Sequence, residues 1–302
     1  MAWAVTLAFV LVCGANDGAA LVALALRFPG SRAWLILPAA LVCGPPLIGY
    51  GVAEAFTRRL ATLDGPAPFL AGAAAALVVV IALTRLGLPT SLTLALIGGI
   101  SGAALGAGLP VSWPGVLGVL GAGVAAPVVG LVLGYLIGAG SRRMPGAPSL
   151  VYGLHVLAYG AQCAAYAIND GQKMFAVVGM ALGPGTSALG PGWLVLVAAV
   201  FCVGALGSLW RVGDRLGRGL ALLRPLHIAS AETAAAAAVL GSSALGSPVS
   251  MTQSLSAGAV GAAASDGARR VRWPGVLNLA LAWLLTLPTA AALGALAGLA
   301  VR

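Results

Sequence analysis

Charge is what this chain has least of. Only 8% of its 302 residues are Asp, Glu, Lys or Arg, against roughly 25% in soluble domains. So few charged groups cannot cover a water-facing surface of that size, which excludes a soluble globular domain. Acidic residues number only 7 and histidines 2, and Lys173 is the single lysine. The 4 cysteines, Cys13, Cys43, Cys163 and Cys202, fall in apolar sequence with no short paired spacing. They read as free thiols, and neither a zinc set nor a disulfide framework is implied. Apolar and polar residues do not alternate with period 2, which disfavours a membrane β-barrel.

What the chain does have is apolar length. It is 60% hydrophobic, with a mean hydropathy of +1.03. Apolar stretches of about 20 residues recur throughout, each able to cross a hydrocarbon core of ~30 Å as a helix. The 44 glycines and 18 prolines fit helices in lipid, which tolerate both. The expected fold is an all-α polytopic membrane protein with about 10–12 membrane segments. A net charge of +9 raises the question of nucleic acid, but the arginines cluster between spans. Arg142 with Arg143, the Arg211–Arg224 stretch, and Arg269, Arg270 and Arg272 read as membrane-flanking loop charges. The partner is the lipid bilayer and not nucleic acid. Residues 3–26 lack a basic leader and a clear cleavage site, and read as a retained first span.

The chain also repeats itself. WPGVL occurs at Trp113–Leu117 and again at Trp273–Leu277, 160 residues on. The Trp34 and Cys43 stretch matches that of Trp193 and Cys202, and Leu86–Thr93 matches Leu245–Thr252, both at 159. Asn16-Asp17 matches Asn169-Asp170 at 153. Four matches in one order imply two homologous halves, 1–145 and 146–302, forming one membrane domain. Such repetition points to a transporter whose site lies at the midplane, where the halves meet. Loop charge leaves the relative orientation of the halves open, since Arg58-Arg59 and Arg211–Arg224 are both basic.

Three acids lie within apolar sequence: Asp17, Asp170 and Glu232. An ionisable group there costs several kcal/mol unless paired or wet, so each is a candidate functional residue. For Asp17 and Asp170 the bland alternative is a polar contact between helices; for Glu232 it is a helix-end position near the interface. The second matched pair is Pro89, Thr90, Ser91 and Thr93 against Pro248, Ser250 and Thr252. Proline fits the first turn of a helix, and a hydroxyl side chain caps free backbone N–H groups. A helix start inside a membrane segment implies a broken or re-entrant helix, whose N-terminus suits an oxyanion. Plain capping in a loop is the alternative.

These residues carry a resemblance. GAND at Gly14–Asp17, INDGQK at Ile168–Lys173, and the two P-x-S-x-T segments resemble the inorganic phosphate transporter family of ion-coupled symporters, in its bacterial branch. The closing span from Trp273 is also similar. The resemblance implies inverted halves, a bacterial plasma membrane, and secondary transport of inorganic phosphate by alternating access. It departs from the family pattern at Leu92 and Met251, where a hydroxyl is expected, at Leu94 and Gln253 in place of histidine, and at Ala167-Ile168 in place of glycine.

The site expected on this basis has Thr90, Ser91, Thr93, Ser250, Thr252, Asp17, Asp170, Gln172 and Lys173 around the substrate. Asn16, Asp17, Asn169, Asp170 and Glu232 would serve the coupling ion, a proton or a sodium ion, with sodium fitting the oxygens of Asn16 and Asn169. Lys173 and Gln172 would steer the anion from a vestibule, or else snorkel to the interface. Hydrogen phosphate carries O–H groups that a carboxylate can accept and sulfate does not, which favours phosphate. No enzyme activity or further cofactor is expected, although paired aspartates raise an intramembrane aspartyl protease, which would need both carboxylates at one cleavage site. A passive channel and a non-transporting scaffold or receptor remain as other classes, and a homodimer stays open.

Overall fold

The computed structural model describes the chain except residues 1, 27, 29–31, 86–89, 145–146 and 184–188, and except the side chains of 33, 47–48 and 210–218. Pro89 and the side chains of the Arg211–Arg218 stretch therefore lie outside the described residues.

The protein is a multi-pass, all-α membrane protein. Among the described residues the only extended pairing is two isolated bridges. The first span is composite: α1 (Ala2–Cys13), a π-helical turn (Gly14–Gly18) and α2 (Ala19–Ala25). Next come α3 (Ile36–Ile48) and α4 (Gly51–Glu54), separated where Pro45 and Pro46 end the helical bonding and Gly49 takes a φ of +94°. The remainder are α5 (Pro66–Arg85), α6 (Leu92–Gly106), α7 (Trp113–Ser141), α8 (Pro148–Ile168), α9 (Gly171–Leu182), α10 (Pro191–Gly219), α11 (Pro225–Ala244), α12 (Met251–Ser265) and α13 (Trp273–Leu299). Among the described residues five stretches are long and apolar enough to cross a membrane unaided: Ala2–Ala25, Pro66–Arg85, Trp113–Ser141, Pro191–Leu209 and Trp273–Leu299. Among the others, α8 and α11 are 21 and 20 residues long but more polar. The 15-residue α6 and α12 fall short of a full span.

The Arg211–Arg218 stretch, expected as a loop, instead continues α10 to Gly219. At 29 residues α10 is roughly 43 Å long, well beyond a hydrocarbon core of ~30 Å. A helix of that length can carry its charged last turns beyond the hydrocarbon core.

Equivalent local structures recur about 160 residues apart. Ala61 bridges Val111 and Ala221 bridges Val271. In the first tie Ser112 N–H donates to the Leu60 carbonyl at 2.9 Å; in the second Arg272 N–H donates to that of Leu220 at 2.8 Å. Each tie holds the start of a WPGVL helix.

Close packing crosses between the two stretches. Gly98, Gly102 and Gly106 of α6 meet Leu287, Ala291 and Ala295 of α13, so these two helices run parallel. Gly130, Gly134 and Gly138 of α7 meet Ser254, Gly258 and Ala262 of α12, again parallel. A Cβ added at Gly102 would stand 2.1 Å from the Ala291 carbonyl oxygen. Lipid tails give helices no hydrophobic reason to associate, so this backbone contact, which small residues at a four-residue spacing permit, is what joins them.

Candidate functional site

The N-D motif of the first span occupies its π-helical turn, an irregularity that re-aims side chains and is frequent at functional sites. Asp17 is buried, at 1% exposure, and its Oδ1 accepts from Asn16 Nδ2 at 2.8 Å. Gly14 brings the turn against α10, where a Cβ would lie 1.9 Å from the Phe201 carbonyl oxygen. Only glycine permits that approach.

The second N-D motif sits at a break. Helix α8 ends at Ile168, Asn169 departs from helical geometry, and α9 begins at Gly171. The turn is locked by side chains. Asn169 Nδ2 donates to Ser243 Oγ at 2.8 Å and to the Ser247 carbonyl at 3.1 Å, and Asn169 Oδ1 accepts from Val249 N–H at 2.9 Å. Asp170 Oδ2 accepts from Met251 N–H, the first amide of α12, at 2.8 Å.

Lys173 joins the pieces. Its ammonium donates to Asp170 Oδ1 and, at 2.8 Å, to Thr93 Oγ1, and it lies 3.9 Å from Asp17 Oδ2. Thr93 in turn donates to the Val249 carbonyl at 3.1 Å. Tyr166 O–H donates to Asp17 Oδ2 at 3.4 Å. One point in the interior thus gathers both aspartates, the single lysine, and the N-termini of α6 and α12. Two carboxylates face one ammonium, so full ionisation leaves a net negative charge that one cation or proton would balance.

Several expected placements change. Lys173 is buried, at 1% exposure, and neither steers from a vestibule nor snorkels: the two carboxylates compensate its desolvation. Gln172 is a clamp, its Oε1 accepting from Val52 and Ala53 N–H and its Nε2 donating to the Gly49 carbonyl. It satisfies backbone groups freed at the α3–α4 break, so it is not aimed at a substrate. Asn169 likewise spends both ends of its amide on protein, which leaves its oxygen poorly placed for sodium. Ser91 and Ser250 are the N-caps of α6 and α12, accepting from Leu94 and Gln253 N–H. The helix starts after the serine, so Pro248 lies before the cap and not in the first turn. Thr252 pairs with Ser250 at 3.0 Å, while Thr90 is buried with its hydroxyl unpartnered. Glu232 is bonded to His155, at 2.9 Å, and to none of the central residues. Tyr166 carries no motif; its only signal is its spacing on α8 from the other polar residues of that helix.

A model of the phosphate transporter family matches residues 139–294. A probable low-affinity inorganic phosphate transporter of Rhizobium meliloti is 30% identical over 223 residues, covering 70% of this chain and 67% of that one. The chain belongs to the phosphate transporter family. A Bacillus subtilis relative of the same description is 27% identical over 310 residues, covering 96% and 93%. One from Mycobacterium leprae is 33% identical over 236 residues, and the match spans about half of it, 54%, and 70% of this chain. A solved structure described as the sodium-dependent phosphate transporter superposes with a TM-score of 0.79 at 19% identity, covering 99% of this chain and 98% of that one. These relatives are bacterial, and a multi-pass helical member belongs in the bacterial plasma membrane.

Proposed function

We propose that the protein is a secondary transporter of inorganic phosphate, coupled to a cation and working by alternating access. The observation that carries this reading is the contact of the buried Lys173 ammonium with Thr93, in the first turn of α6. The first amides of a helix have no intrahelical partner and favour anions. At α6 those of Leu92 and Thr93 lie beside an ammonium and the free hydroxyl of Thr90. At α12 the first amide is already taken by the Asp170 carboxylate. The oxyanion therefore belongs at α6, with Thr90, Ser91, Thr93 and Lys173 around it. Asp17 and Asp170 balance Lys173 when substrate is absent, and cation or proton entry releases it toward the anion.

The two halves, 1–145 and 146–302, form an inverted repeat. This is supported by the parallel registers of α6 with α13 and of α7 with α12. The C-terminus of α6 then shares a membrane side with that of α13, and the C-terminus of α12 with that of α7. Because α7 spans the membrane between them, α6 and α12 point oppositely.

The test is uptake of labelled phosphate, with sulfate alongside, into proteoliposomes under proton or sodium gradients. Accumulation of phosphate against its gradient supports the proposal. Gradient-independent leakage would make the protein a channel, and no flux under any gradient would leave the scaffold reading.

A further inference from the structure

The two buried residues His155 and Glu232 play no part in the central cluster, yet both are fully buried. His155 Nδ1 meets Glu232 Oε2 at 2.9 Å, whereas His155 Nε2 and Glu232 Oε1 have no partner. The Tyr159 hydroxyl and both polar atoms of the Gln162 amide are also buried and unpartnered. Such atoms are few in native structures and call for a specific account. Here they are not scattered. His155, Tyr159, Gln162 and Tyr166 recur at the spacing of one helical face of α8. At one end of the stripe Tyr166 donates to Asp17. At the other, the His155 ring stacks on Phe28, with centroids 3.8 Å apart. Phe28 also lines a cavity of about 770 Å³ bounded by Arg142, Arg224, His227, Asp266 and Arg270. A single aromatic ring thus separates that cavity from the His155–Glu232 pair.

We propose that this stripe is the proton route of the transporter, with His155–Glu232 as its loading site. The proposal rests on the reading of the protein as an ion-coupled transporter and names the ion. With imidazole neutral and donating Nδ1–H to an ionised Glu232, the pair carries one uncompensated negative charge in the membrane interior. One proton taken from the cavity side onto Nε2 gives an imidazolium–carboxylate pair of zero net charge. Its release along the stripe restores the first state. Tyr159 and Gln162 offer both donors and acceptors, so ordered waters bonded to them would span the roughly 16 Å between His155 and Tyr166. The proton ends on Asp17, where it removes the charge that holds Lys173.

The other titratable groups near the pair are few. On α8 they are Tyr152, Tyr159 and Cys163, and on α10 Cys202. Of the helices packed against α8 and α11, α3 carries the exposed Cys43, α7 carries the exposed Tyr135 and α12 carries no titratable side chain, while α11 itself adds His227, which pairs with Asp266 at the cavity. Among the described residues no second carboxylate or ammonium contacts the pair, so its charge state follows the proton.

The experiment uses the full chain in liposomes and has two arms. The pH-difference infrared spectrum needs no substrate. It should show an imidazolium signal that disappears in His155→Gln, which keeps a hydrogen bond to Glu232 but cannot take the proton, and a shifted carboxylate signal that disappears in Glu232→Gln. The transport arm compares phosphate exchange at equal pH with accumulation driven by a pH gradient. His155→Gln, which removes the proton acceptor, and Tyr159→Phe, which interrupts the water path, should each reduce driven accumulation about tenfold while exchange persists. An infrared spectrum indifferent to both Glu232→Gln and His155→Gln overturns the proposal. So does driven accumulation that survives both substitutions, or that follows a sodium gradient alone. Absence of phosphate exchange in the parent protein would overturn the substrate assignment instead, and the infrared arm still decides the loading site.

Discussion

The ammonium of Lys173 stands 3.9 Å from Asp17 Oδ2, so the second N-D motif, N-D-G-Q-K, supplies the cation for the carboxylate of the first, G-A-N-D. Neither motif is electrically complete alone. In the membrane interior that mutual dependence makes the cluster sensitive to the loss of any member.

The three charges should therefore behave as a unit. Asp17→Asn and Asp170→Asn should each abolish coupled uptake while the protein remains inserted. Lys173→Met, which strands two buried carboxylates, should lower stability by about 3 kcal/mol. Adding Asp170→Asn to it should recover part of that loss. Thermal unfolding in detergent and proteoliposome uptake are the measurements; full transport by either aspartate variant would remove that residue from the site.

The two serine caps should separate. Each caps its helix, so alanine at either should cost about 1 kcal/mol of stability. Ser91→Ala should also weaken apparent phosphate affinity about fivefold to tenfold, since α6 has amides to offer the anion. Ser250→Ala should change affinity less, because the leading amide of α12 already serves Asp170. Equal affinity losses at both positions would place the anion between the two helix ends.

Helix contacts should be intolerant of side chains at two glycines. A Cβ would lie 2.1 Å from the Ala291 carbonyl at Gly102, and 2.3 Å from that of Gly258 at Gly134. Gly102→Leu and Gly134→Leu should each destabilise by about 2–3 kcal/mol, because packed backbones cannot retreat. Gly118→Leu, in open space on α7, is the control and should leave unfolding unchanged.

Orientation can be read by labelling. Ser112 and Arg272 precede the two WPGVL helices and are exposed. Cysteines there should react with an impermeant reagent from opposite sides of the membrane. Asp266 is a poorer probe, being held by Arg142, Arg224, His227 and Arg270. Labelling of both positions from one side would require parallel halves.

The sequence alone determined the solvent, the class and the repeat. Charge scarcity and unbroken apolar runs allow only a helical membrane protein, since every backbone group in lipid must be bonded within its own helix or a closed barrel. Matched words such as WPGVL were legible because the same helix start is built twice. The aspartates stood out for a similar reason: a carboxylate in apolar sequence is visible against its neighbours. What the tertiary structure decided is which groups meet. Lys173 reads as interfacial in sequence because its compensating charge, Asp17, lies on another helix. Gln172 and Asn169 read as ligands because nothing local reveals the broken backbone they satisfy. The His155–Glu232 pair was hidden for the same reason: a polar residue on one helix becomes a site only when packing brings its partner out of the lipid and against it.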